Sequence, residues 1–167
     1  MKPQPLCALP TRPAFPTRLW MVGALVWGTA MAFSAWAGLF LRFRLETSNL
    51  SELLFLYFSG GLVAWIVALP LARPFMRHRL IERRFAAMFL ALTVATVLVT
   101  AGFFALDYRS FYAQWHAPFG TRIWAFQFVF TSASAAYQFL VLGLRLYLPF
   151  GFILLVCASF YLAKRMH

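Results

Sequence analysis

Three apolar stretches of membrane-spanning length, and a fourth twice as long, organise the chain, with short polar segments between them. The first runs from about Leu19 to Leu41 and is closed by Arg42 and Arg44. The second covers about 53–71 and ends near Pro70 and Pro74; the third covers about 85–106. Each approaches the 20 or so residues that a helix needs to cross about 30 Å of hydrocarbon at about 1.5 Å per residue. From Ile123 to Ala163 the apolar pattern continues for 41 residues, interrupted by Arg145 and Pro149.

Two arrangements fit that last third. In one, residues 121–141 form an amphipathic helix in the outer headgroup layer and residues 143–163 cross. In the other both halves cross, making five spans, but Phe150 to Ala163 is short for a crossing and Lys164 and Arg165 end outside. The first satisfies length and charge together. The predicted fold is therefore all-α: a polytopic four-helix transmembrane bundle with an interfacial helix before the last span, five spans being the alternative.

Within the spans, small residues recur every four positions: Ala24, Gly28 and Ala32; Gly60, Ala64 and Ala68; Ala87, Ala91 and Ala95. Such faces let helix backbones approach closely in lipid. Residues 127–145 carry a second pattern. At 100° per residue Gln127, Thr131, Ser134, Gln138 and Arg145 fall near one line, with Phe126, Phe128, Phe130 and Tyr137 off it. An amide facing hydrocarbon is costly, so the line must meet water or a binding partner.

Composition agrees with a membrane solvent. Of 167 residues, 63% are hydrophobic and only 11% charged, too little polar surface for a water-soluble domain, where charged residues make up about 25%. The net charge of +11 lies between the apolar runs, where the positive-inside rule accounts for it without nucleic acid. Residues 73–84 hold five arginines, which places this connection in the cytoplasm and both termini with it. That orientation puts ten cations inside and five outside. Residues 1–18, with five prolines, read as an extended basic cytoplasmic arm, and 164–167 as a basic tail. Ala35-Trp36-Ala37 resembles a signal-peptidase site, but the apolar run exceeds a signal core. The segment 107–122 is dense in Tyr and Trp, which settle at headgroup level, and reads as an outer loop.

Candidate chemistry is sparse. Cys7 and Cys157 are far apart and suggest neither a disulfide framework nor a metal knuckle. His78, His116 and His167 fall in loops or at the terminus, so no cofactor is expected, and Asp107 with His116 is too small a set for a metal. No carboxylate lies mid-span to couple proton movement, and no hydrolase or nucleotide-binding motif occurs. One positive grouping remains: Arg109, Arg122 and Arg145, with His116 and Tyr108, at the outer interface around an anionic headgroup. These features predict a non-enzymatic multi-pass inner-membrane protein, an accessory or scaffold subunit packing against a larger membrane partner or itself. The alternative is a binder or carrier of an anionic lipid headgroup, phospholipid or polyprenyl-phosphate.

Overall fold

The structure, a computed structural model, describes residues 17–46, 49–75 and 80–165. The proline-rich arm before Thr17, with Cys7, and Arg77, His78, Arg79 and His167 lie outside these residues. Five α-helices follow in order: α1 (Thr17–Phe40), α2 (Leu50–Ala72), α3 (Ile81–Tyr112), α4 (Arg122–Gln138) and α5 (Phe150–Arg165). Between α4 and α5 the chain passes through a π-helical turn, Phe139–Gly143, and a 3-10 turn, Leu144–Tyr147. The described residues contain no strand.

Four runs are long and apolar enough to cross a membrane: Trp20–Phe40, Leu50–Ala72, Ile81–Trp115 and Arg122–Tyr147. The protein is thus an all-helical, multi-pass membrane protein. α1, α2 and α3 form an antiparallel core. Gly28 sits where a side chain would run into the Phe58 carbonyl, and Gly61 where one would meet Met31 and the Gly28 backbone. Gly60 abuts Thr100 of α3. Trp27 reaches across from α1 to donate its indole hydrogen to Thr96 Oγ1 at 3.2 Å. Polar groups on the membrane face are closed internally: Thr29 bonds back to the Leu25 and Val26 carbonyls, and Thr93 to that of Phe89.

The last third runs back along α3. Arg109 of α3 meets Trp124 and Phe128, Phe104 meets Phe139, Thr100 meets Tyr147, and Phe89 meets Phe152. Positions fall steadily on α3 as they rise on its neighbour, so the chain does not reverse between α4 and α5. A fifth crossing would need that reversal. α5, at 16 residues, is short for a span by itself. The final pass is composite: it starts in α4, continues through the two turns and ends in α5.

The far end of α3 differs from the sequence pattern. α3 continues through residues 107–112, expected as loop, and reaches Tyr112 before a 3-10 turn at Ala113–Trp115. Arg109, lodged over the Trp124 and Phe128 rings, holds that extension to α4. Thr121 then caps α4, accepting the Trp124 amide hydrogen at 3.1 Å.

Candidate functional site

The break in the final pass sets the chemistry at the centre of the bundle. Pro149 has no amide hydrogen, so the Arg145 carbonyl loses the donor that a continuous helix would give it. Leu148 adopts an extended conformation (φ −105°, ψ 137°), as the residue before a proline does, and the Leu148–Pro149 bond is cis. Side chains from outside the pass reach the carbonyls of this irregular stretch. Arg42 Nη2 donates to Arg145 O at 3.1 Å, and the Leu148 amide donates to the same oxygen at 3.2 Å. Ser34 Oγ donates to Leu146 O at 3.2 Å, and Tyr57 Oη to Gly143 O at 2.6 Å. In lipid there is no water to do this work, and neighbouring helices must supply it.

Below the break, the Tyr147 hydroxyl and Thr100 Oγ1 pair at 2.9 Å, both buried. Tyr57, Phe104, Phe139 and Tyr147 surround the Gly143 carbonyl, with ring centroids 5.1–6.4 Å apart. Glycines make room for these donors. A side chain on Gly38 would reach the Leu146 carbonyl at 3.0 Å, one on Gly151 would reach Ser34 Oγ at 2.9 Å, and one on Gly143 would displace the Tyr57 hydroxyl. A cleft of about 170 Å³ lies beside this cluster, between α1, α3 and the start of α5. Its walls include Trp27, Met31, Thr96 and Leu155, and it opens where Leu148 and Phe152 are exposed.

The residues singled out from sequence fall in several places. Ala24, Gly28, Gly60, Ala64 and Ala68 are buried in the α1–α2–α3 core, so these faces serve the bundle itself. Ala32 is only half-buried. A four-residue step advances 40° around a helix, so the third member turns off the face and Met31 and Ala35 take its place.

The 127–145 line is divided. Gln127 Oε1 accepts the Ala117 amide hydrogen at 2.9 Å, and Thr131 bonds back to the Gln127 carbonyl while standing 3.4 Å from His116 Nε2. Both therefore hold the connection between α3 and α4. Ser134 and Gln138 are exposed and make no side-chain hydrogen bond among the described residues. Arg145 leaves the line, because the π and 3-10 turns change the phase before it.

The basic grouping is likewise distributed. Arg109 is 4.4 Å from the Phe128 centroid and 5.5 Å from that of Trp124, and the Tyr108 ring lies tilted against that of Tyr112 at 4.6 Å. Arg122 is exposed in the first turn of α4. Arg145 stands instead beside Arg42 at the end of α1. No hydrogen bond or ring contact joins Arg122 or Arg145 to Arg109 among the described residues. Asp107 and His116 share no hydrogen bond, and no three metal-ligating side chains come together among the described residues.

Sequence reasoning missed Ser34, Arg42, Tyr57, Thr100 and Tyr147 as a set. The only local signal was the Arg145–Pro149 interruption, which marks a break but not its partners. No family model, curated protein or solved structure matches the chain.

Proposed function

We propose that the protein is a non-enzymatic accessory or scaffold subunit of the inner membrane that packs against a larger membrane partner through α4. The observation carrying this is the state of α4: Ala135 is its one buried residue, and Ser134 and Gln138 stand exposed without a bond. Thr29, Ser34, Thr93, Thr96 and Thr100 of the other helices are bonded within the chain, whereas these two stand exposed on α4. A helix from a partner would cover them, each bond across such an interface contributing about 0.6 kcal/mol on average and packing adding the remainder. The small-residue faces of α1 and α2, consumed internally, leave α4 as the free surface. In this reading Arg73, Arg83, Lys164 and Arg165 face the cytoplasm, by the positive-inside rule.

The test is a photo-crosslinking side chain placed at position 138, with position 25 on the exposed face of α1 as control. The expected result is one adduct of discrete mass at 138, none at 25, from cells or native membranes. An adduct of twice the chain mass makes the partner a second copy; lipid adducts alone at both positions would sink the reading.

A second reading has its own support: binding of an anionic lipid. Arg42 and Arg145 lie together at the outer end of α1, with no carboxylate bonded to either among the described residues.

A further inference from the structure

The seam between α1 and the break in the final pass joins two features that a lipid needs together. One is a pair of cations at the end of a membrane-spanning helix. Arg42 lies two residues past the Trp20–Phe40 span, and its guanidinium donates to the Arg145 main chain, which roots the Arg145 side chain next to it. That contact uses one of five N–H donors on Arg42 and none on the Arg145 side chain, which is exposed. The remaining donors suit a phosphate, which guanidinium binds in a forked, charge-assisted geometry.

The other feature is the apolar cleft. Leu148 stands at its mouth, and Leu148 N and Arg42 Nη2 share one acceptor, Arg145 O, at 3.2 and 3.1 Å. The Arg42 guanidinium and the Leu148 amide at the mouth are therefore within about 6 Å of each other. From there the cleft descends along α1 to Met31 and Trp27, toward the middle of the membrane. A charged group at the interface with an apolar slot beneath it is the outline of a phospholipid.

We infer that this seam holds one anionic membrane lipid, its phosphate between Arg42 and Arg145 and one acyl chain in the cleft lined by Trp27, Met31, Leu148, Phe152 and Leu155. The inference rests on the second reading above, that the chain binds anionic lipid at all, and adds the place and the two-part recognition. It moves the site from Arg109, whose guanidinium is engaged by Trp124 and Phe128, to the seam between Arg42 and the Arg145 main chain.

The experiment is native mass spectrometry of the full chain released from nanodiscs of phosphatidylglycerol mixed equally with phosphatidylcholine. The wild type is expected to retain phosphatidylglycerol in preference. Arg145→Gln, which leaves every hydrogen bond of the Arg145 main chain in place, should lower that retention about fivefold, and Arg42→Gln with Arg145→Gln about 25-fold. Val97→Phe, which fills the cleft from α3, should also lower it with both arginines intact. Arg109→Gln should change nothing. No preference in the wild type overturns anionic-lipid binding itself. Preference kept by the double variant, or lost equally in Arg109→Gln, overturns this site while leaving the binding. Full displacement by soluble glycerophosphate shows a headgroup site alone and overturns the role of the cleft.

Discussion

Tyr57 of α2 donates its phenolic hydrogen to the carbonyl oxygen of Gly143 at 2.6 Å, joining positions 86 residues apart. The acceptor is main chain at a helix break, and the donor is fully buried. The bond therefore measures how far the final pass depends on the helices before it.

Tyr57→Phe keeps the ring and removes the donor, leaving a buried carbonyl under-satisfied. The expected loss is about 1–3 kcal/mol of stability, read by denaturant titration in detergent with Trp27 and Trp65 as reporters. Ser159→Ala is the counterpart. Its hydroxyl is buried with no partner among the described residues, so the change should be neutral or stabilising by about 1 kcal/mol. Equal losses from both would contradict this account.

Glycines at helix contacts should respond unequally. Gly28→Val drives a side chain toward the Phe58 carbonyl, 2.8 Å from the new β-carbon, and should cost about 1–3 kcal/mol. At Gly102 nothing lies within 4 Å, so Gly102→Ala should leave the fold intact and stiffen α3 by about 0.5–1 kcal/mol. The thermal midpoint of each variant in detergent checks the pair.

Arg109 between two rings ties α3 to α4, an interaction of about 0.5–2 kcal/mol. Arg109→Ala should loosen the end of the bundle where α3 meets α4 while the core stays folded. Hydrogen exchange should rise over residues 113–128 and remain unchanged in α2. A rise throughout the chain would mean that the contact supports the whole fold.

If α4 docks a partner helix, Gln138→Leu should weaken the complex without changing the thermal midpoint of the isolated protein. Loss of roughly half or more of the adduct formed from position 134 is expected, given that transmembrane polar contacts contribute about 0.6 kcal/mol each. An unchanged adduct yield would assign the contact to packing alone.

The course of α1, α2 and α3 could be read from residues 19–106, because an apolar run of fixed length has few alternatives in lipid. Gly28, Gly60, Ala64 and Ala68 were also readable as contact positions, though not as contacts within the chain itself. The upper end of α3 was not. Asp107, Tyr108, Arg109 and Ser110 look like a loop by polarity, and only the rings of α4 explain why the helix continues there. Arg145 was placed by extrapolating one helical period through Gln127 and Gln138, which fails across a π turn. The donors Ser34 and Tyr57 have no sequence signature, since their acceptors lie 112 and 86 positions away and are main-chain atoms.

The side-chain donors that reach the carbonyls between Gly143 and Leu146 bear on biogenesis. Their caps come from α1 and α2, and Thr100 of α3 steadies Tyr147 beside them. A nascent C-terminal segment entering the bilayer before those helices have met would carry these carbonyls into hydrocarbon without their side-chain donors. The order of synthesis avoids this: by the time Pro149 leaves the ribosome, every residue that will receive it has already been made.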